Sequence, residues 1–429
     1  MKTIWTDNIY KPDFPTLNTD ISTDILIIGG GVAGLVICKK LTDRGLNCTL
    51  VEKREICNCT TCNTTAKITW QHNLIYNKII EKSSVETARQ YYKANKRAFD
   101  ELCSSASDLK CDFELADNYI YTTNNTSVIK KEAQALKLIG APYEYTKTIG
   151  LPFYVAAAVK TEKQAQFHPL KYLYNISKNL NIYENTFVSK VKNNIAYTNR
   201  GNITAKKIII STHFPFINSH GMFYAKMFQS RSYVLALSGA PKIDGMYLDE
   251  SKQGFSFRAY NDLLLVGGGN SKTGETKGDI ERLKNFAQAT FPESEIKYEW
   301  AAQDCITIDE MPYIGQYSKN TPNLYVATGF NKWGFTSSMV AAQLFCDWFT
   351  NKNKHTCNIF APSRNFIKKQ LFINALSTAK DYLIPSQKRC PHLGCSMKYN
   401  KSEHSWDCPC HGTRITEDGT VLDNPANKP

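Results

Sequence analysis

Asp24-Ile25-Leu26-Ile27-Ile28-Gly29-Gly30-Gly31-Val32-Ala33-Gly34 is the stretch on which the reading of the fold turns. A short aliphatic run passes directly into G-x-G-x-x-G, which predicts a buried parallel strand and then a tight turn. Leu35–Arg44 reads as a helix closed by Gly45, and Cys48–Val51 as a second strand ending in Glu52. An acidic residue about twenty positions beyond the glycines, within a strand–helix–strand unit, turns a weak glycine pattern into a dinucleotide-binding fingerprint. Gly29 permits the turn, Gly31 lets backbone approach a pyrophosphate at a helix N-terminus, and Gly34 lets the helix pack on the strand. Glu52 can accept from ribose hydroxyls.

No second fingerprint follows. Leu263–Gly269 ends in three glycines, but Lys272 stands where another spaced glycine is needed. One nucleotide site with further contacts far along the chain suits FAD. Asn323–Phe330 reads as a strand running into Gly329, and Trp333-Gly334-Phe335-Thr336 opens a helix of small residues reaching Trp348. A helix N-terminus there can stabilise negative charge on a reduced flavin.

Near the C-terminus stand Cys390-Pro391-His392-Leu393-Gly394-Cys395 and Cys408-Pro409-Cys410-His411-Gly412-Thr413. C-x-H followed later by C-x-x-H supplies two thiolates and two imidazoles, the donor set of a Rieske-type 2Fe–2S centre. The same four donors suit tetrahedral zinc. The zinc-finger pattern pairs two cysteines and then two histidines, whereas here each loop gives one of each, which favours iron.

The chain has 429 residues, a net charge of +13 and 14 cysteines. The lysines are scattered, so the field is diffuse, and an acidic electron-transfer partner suits it. No nucleic-acid motif accompanies the charge. Met1–Tyr10 has no apolar core, so no signal peptide is expected. The apolar run Ile25–Ile37 is broken by glycines and too short for a transmembrane segment. A cytoplasmic protein is the expectation.

The stretch from about Trp5 to Pro362 resembles the glycine oxidase and D-amino-acid oxidase group of FAD-dependent oxidoreductases, above all members with a C-terminal Rieske segment. The resemblance rests on DILIIGGGVAGL, TTAKITWQH, IIISTHFPF, LLLVGGG, DEMPYIG and YVATGFNKWGFT. It implies an α/β fold: a Rossmann-like FAD-binding domain with a discontinuous α+β substrate domain, plus a small all-β cluster segment. Nucleotide-binding parts would cover about 20–72, 185–213 and 300–350, and substrate parts about 73–184 and 214–299, within an oxidoreductase of 1–362. A helical linker at 363–380, with an amphipathic helix at Arg364–Ala379, would lead to a Rieske segment at 381–429. That segment is too short to build a core of its own easily, so packing on the flavoprotein body is expected.

The same resemblance implies FAD contacts from Gly29, Gly31, Val32, Ala33, Gly34, Glu52, Lys53, Thr64 and Thr65. It adds Val188 as a backbone contact to adenine, Thr212, Gly329, and Trp333, Gly334, Phe335 and Thr336. CPHLGC and CPCHGT resemble the cluster loops of cytochrome bc and b6f Rieske proteins. By that likeness Cys390, His392, Cys408 and His411 are the metal ligands, and Cys395 and Cys410 form a disulfide.

The group's reaction removes a hydride from a carbon bearing an amine, so an amine or amino acid is the implied substrate. Electrons would pass from FAD through the cluster to an external acceptor. A relay between two proteins, without a small-molecule substrate, is the alternative. An oxygenase would need a 2-His-1-carboxylate iron site, for which eight histidines and no companion domain give little support. Arg258 can pair a substrate carboxylate, or serve as an ordinary ion-pair arginine. His72 can face flavin or substrate, or be a packing histidine, and Arg231 and Tyr233 are weaker candidates. Cys57, Cys59 and Cys62 stand where related flavoproteins have glycines. They can bind a metal, form a redox disulfide, attach to flavin, or merely fit the loop.

Overall fold

The computed structural model describes residues 2–275, 280–350, 358–364 and 387–426. The expected linker helix at Arg364–Ala379 lies, apart from its first residue, outside the described residues.

Two large sheets carry the body. The nucleotide sheet comprises β1 (Ile21–Ile28), β2 (Cys48–Val51), β7 (Ile182–Tyr183), β8 (Val188–Lys192), β9 (Ile195–Thr198), β10 (Asn202–Ile210), β16 (Tyr313–Gln316) and β17 (Leu324–Thr328). Its path is β16-β17-β10-β1-β2-β7, with β9 attached to β10 and β8 to β9. β1 pairs in parallel with β10 and β2. Its residues Ile25–Ile28 are all buried because both faces are covered. Alternate residues feed two cores: Ile25 and Ile27 pack with helix residues Leu35, Leu41 and Phe345, and Leu26 and Ile28 with Ile208, Ile210 and Val326.

Helix Val32–Thr42 follows β1 and packs against helix Gly334–Phe349, which follows β17. The approach to the turn is so close that a Cβ at Gly34 would lie 1.9 Å from the Gly29 carbonyl oxygen. The third fingerprint glycine is therefore obligatory on packing grounds.

The second sheet comprises β3 (Lys67–Ile68), β4 (Glu114–Thr122), β5 (Glu144–Thr146), β6 (Ala157–Gln166), β11 (Met227–Ser238), β12 (Met246–Asp249), β13 (Ser256–Tyr260), β14 (Leu263–Lys272) and β15 (Glu295–Thr307). Its path is β15-β11-β14-β13-β12-β4-β6-β3, with β5 on β6. The glycine run of LLLVGGG lies inside β14, not in a phosphate loop. β6 begins at Ala157, opposite Thr122, where its partner β4 ends. β15 belongs to this sheet, so the chain returns to the nucleotide sheet at Tyr313 and not near residue 300.

Helices Ile75–Lys82 and Val85–Ser107 pack on each other and on helix Thr126–Ile139, which packs on this sheet. Glu132, fully buried on the third, closes the N-terminus of the first. Its carboxylate accepts from the backbone N–H of Tyr76 (3.2 Å) and Asn77 (2.8 Å) and from Gln71 Nε2 (2.8 Å). These satisfy donors that a helix start otherwise leaves unpaired.

The C-terminal segment is a small antiparallel sheet of β18 (Lys398–Asn400), β19 (Ser405–Asp407), β20 (Arg414–Ile415) and β21 (Val421–Asp423). No helix among the described residues is long and apolar enough to cross a membrane.

Candidate functional site

A cavity of about 670 Å³ runs from the fingerprint glycines to the second sheet. At its nucleotide end Gly29, Gly31, Val32, Ala33, Glu52 and Lys53 form the wall, with Val188 and Thr212 beside them. Glu52 is oriented by accepting from the Gly30 N–H at 2.7 Å and the Arg54 N–H at 3.0 Å. Further along lie Thr64, Thr65, Gly329, Trp333, Gly334 and Phe335. Two helix N-termini, at Val32 and Gly334, thus open onto one cavity, and both favour negative charge there. Gly34 and Thr336 are absent from the lining: Gly34 is pressed on the turn, and Thr336 bonds to His72.

His72 reaches the cavity wall, but its nitrogens are already engaged. Nε2 faces the Thr69 carbonyl at 2.9 Å and Thr336 Oγ1 at 3.0 Å, and Nδ1 lies 2.7 Å from the Tyr91 hydroxyl. A carbonyl only accepts, so Nε2 carries the hydrogen and Nδ1 accepts from Tyr91. Burial pushes its pKa down to about 3. Its ring stacks on Trp333 at 4.7 Å and 13°. His72 is a neutral ring that positions Trp333.

Arg258 requires a correction. It is buried and does not line the cavity. Nη1 donates to the carbonyls of Thr65 (2.6 Å) and Ala66 (3.0 Å), and the guanidinium lies over Trp5 and Tyr260. Arg258 ties the Thr64–Ala66 turn to the second sheet, which is what a packed arginine does, and offers no fork to a substrate. Arg231 is likewise engaged, by Glu403 of the C-terminal segment, and the Tyr233 hydroxyl donates to the same carboxylate at 3.1 Å.

Cys57 and Cys59 have φ values of +62° and +56°, a left-handed conformation that glycine would adopt with less strain. Cys59 lines the cavity, while burial pushes the Cys59 thiol up to about 11 and that of Cys62 up to about 12. Both are protonated thiols, not reactive thiolates. The compact group of potential metal donors found among the described residues is elsewhere, at Cys395, Cys408 and Cys410.

The two C-terminal loops share one backbone pattern. The Cys390 N–H donates to the Cys395 carbonyl (2.9 Å) and the Gly394 N–H to the Cys390 carbonyl (2.9 Å). The Cys408 N–H donates to the Thr413 carbonyl (2.8 Å) and the Gly412 N–H to the Cys408 carbonyl (2.9 Å). The His392 and His411 rings stand 5.0 Å apart at 88°. In both, Nδ1 is buried with no hydrogen-bond partner. Buried polar atoms are nearly always bonded, so two orphaned nitrogens on facing rings require a partner of another kind. Burial lowers both imidazoles, His392 to about 3 and His411 to about 4, which keeps them neutral as metal ligation demands. Cys408 is lowered by hydrogen bonding from Cys390. The donor set fits a mixed thiolate–imidazole cluster. The sulfurs of Cys395, Cys408 and Cys410 lie within 4.8 Å of one another.

The loops seat directly on the body. Gln229 Nε2 donates to the His411 carbonyl (2.8 Å) and the Asn424 carbonyl (2.6 Å), and Gln303 Nε2 to the Gly412 carbonyl (2.8 Å). Gly412 has φ +83°, and a Cβ there would meet Gln229 Cβ at 2.5 Å. Arg54 Nη2 donates to the Val421 carbonyl at 2.6 Å, and Leu422, Asp423 and Asn424 line the cavity itself. Sequence reasoning missed this wall, because nothing local in Leu422-Asp423-Asn424 marks it.

Residues 24–348 match the family described as FAD dependent oxidoreductase, and residues 362–429 match the Rieske [2Fe-2S] domain. The chain is 35% identical, over 100% of its length and 96% of the relative's, to a Bacillus subtilis (strain 168) protein named as a Rieske 2Fe-2S iron-sulfur protein, YhfW. Its fold is shared with glycine oxidase from Geobacillus kaustophilus (TM-score 0.67, 17% identity, covering 81% of this chain and 100% of that one). It is shared too with L-amino acid deaminase from Proteus vulgaris (TM-score 0.64, 15% identity, covering 83% and 100%). The fingerprint cavity and the paired loops therefore have known counterparts, and their cofactors are FAD and a 2Fe–2S cluster. The chain belongs to the FAD dependent oxidoreductase family and carries a C-terminal Rieske [2Fe-2S] domain.

Proposed function

We propose that this enzyme oxidises the C–N bond of an amine or amino acid and delivers the electrons through its Rieske domain to an external acceptor. The observation that carries the reading is the shared wall: Asp423 and Asn424 line the cofactor cavity, while Gln229 grips both the Asn424 and His411 carbonyls. The fold shared with proteins named glycine oxidase and L-amino acid deaminase supports an amine or amino-acid substrate.

Bound FAD supplies a hydride acceptor and the cluster a one-electron carrier. Gly29, Gly31, Val32, Ala33, Glu52 and Lys53 would hold the nucleotide, with Val188 and Thr212 beside them and Gly34 packing the helix on the turn behind. Thr64, Thr65, Gly329, Trp333, Gly334 and Phe335 would enclose the flavin end, with Thr336 holding His72 behind them. Cys390, His392, Cys408 and His411 would hold the cluster, the two orphaned Nδ1 atoms serving as its imidazole donors. Cys395 and Cys410 remain the disulfide pair that the family resemblance implies, and the closeness of their sulfurs supports it. Residues 1–362 form the oxidoreductase, 363–380 the linker and 381–429 the cluster domain. A cytoplasmic location and an acidic acceptor protein complete the proposal, the latter resting on the net charge of +13.

The test is an anaerobic screen of amines and amino acids against the full chain, following flavin bleaching and then cluster bleaching. Sequential loss of both signals is expected. No response to any small amine, with prompt reduction by a protein donor, would replace the reading with an electron relay.

A further inference from the structure

The two cluster imidazoles differ at their outer nitrogens. His392 Nε2 meets the side-chain amide of Asn218, 3.0 Å from Nδ2 and 3.3 Å from Oδ1. Among the described residues no hydrogen bond reaches His411 Nε2. The amide that caps His392 comes from the FAD-binding body, 174 positions away in the chain. It sits on the loop of 211–222, between β10 and helix Phe223–Lys226.

That loop is held in place from below. The hydroxyl of Tyr317, itself buried, donates to the Ile217 carbonyl at 2.8 Å. Phe214, also buried, stands edge-on to both rings, 6.4 Å from each, at 71° to His392 and 73° to His411. The body therefore covers the imidazole side of the cluster site, and Asn218 is its polar contact there.

The chemistry of the ring fixes the sense of that contact. Each orphaned Nδ1 is the metal-facing atom, so a neutral imidazole carries its hydrogen on Nε2. Nε2 then donates, and the amide accepts through Oδ1, already within reach. An acceptor on the outer nitrogen of a ligating imidazole fixes the ring and strengthens it as a donor to the metal. In surroundings poor in water such a bond counts for more. A stronger donor favours the more oxidised cluster.

We propose that Asn218 is a positioning residue that holds His392 in its ligating orientation and lowers the reduction potential of the cluster. The body thereby sets the potential of the domain docked on it, through one imidazole of the two. The inference rests on the cluster and not on the amine-oxidising reading, because the potential is read without any substrate.

The test is a potentiometric titration of the cluster-loaded full chain, followed by the paramagnetic resonance signal of the reduced cluster. Asn218→Leu removes the acceptor at similar size. It should raise the midpoint potential and speed iron loss to a chelator about tenfold. Asn218→Asp keeps the shape with a stronger acceptor, and should move the midpoint the other way. Ser219→Ala, at the exposed next residue, should leave both readings as in wild type. Midpoints that stay put, or that move the same way in both Asn218 variants, overturn the proposal. Faster iron loss with an unmoved midpoint is what packing alone would give, and overturns it too. If Asn218→Leu holds no cluster, Asn218→Asp decides alone: a lowered midpoint upholds the proposal, and an unchanged or raised one sinks it.

Discussion

Arg231 in β11 and Glu403 in the C-terminal segment form a two-point ion pair, with Nε 2.5 Å from Oε1 and Nη2 against Oε2. Both side chains are buried, at 9% and 7% exposed. The pair continues into Arg414, which contacts Glu403 (2.9 Å), Asp407 (2.9 Å) and Asp423 (3.1 Å). A network of this kind locks one orientation of the cluster domain on the body.

Removing one partner leaves the other charge buried. Glu403→Gln should therefore destabilise docking by about 3–5 kcal/mol. Hydrogen exchange across 398–423 is the measurement. Protection falling there, with the nucleotide sheet unaffected, is expected; unchanged protection would mean that the pair is incidental.

Asn424 closes the cavity by donating from Nδ2 to the Phe214 carbonyl at 3.2 Å and to that of Thr212. Asn424→Ala should weaken FAD binding about fivefold or more, since each lost hydrogen bond is worth about 1 kcal/mol. Equilibrium dialysis of the full chain reads this directly. An unaltered FAD dissociation constant would show that the segment is a neighbour of the site and not part of it.

His72 stays neutral down to about pH 3, so its charge cannot shape a rate profile between about pH 5 and 9. His72→Gln should slow flavin reduction by disturbing Trp333, yet leave the shape of that profile intact. Loss of an inflection near neutrality in the variant would restore His72 as a proton acceptor.

Burial raises Glu132 to about 7 from an ordinary value of 4.5, against the pull of its three N–H donors. A folded pKa above the unfolded one means that ionising the group opposes folding. The stability it provides is complete below about pH 4.5 and declines as the pH rises toward 7, by about 3 kcal/mol at most. Glu132→Gln should remove that slope from denaturation curves taken between these pH values. A variant with the same slope as wild type would assign the titration to other groups.

Local pattern made much of this architecture legible. Ile25–Ile28, the spaced glycines and Glu52 lie within one supersecondary unit, and the six-residue cluster loops contain their own turn geometry. What sequence could not resolve depends on distant partners. Arg258 looks free in Ser256–Tyr260 until Thr65 and Ala66, far back in the chain, claim its N–H groups. Arg231 is claimed by Glu403 in the same way.

The wall made by Leu422, Asp423 and Asn424 exists only once the C-terminal domain has closed on Gln229 and Arg54. A chain shortened ahead of residue 387 would therefore lose part of the wall around its vitamin-derived prosthetic group along with its cluster ligands.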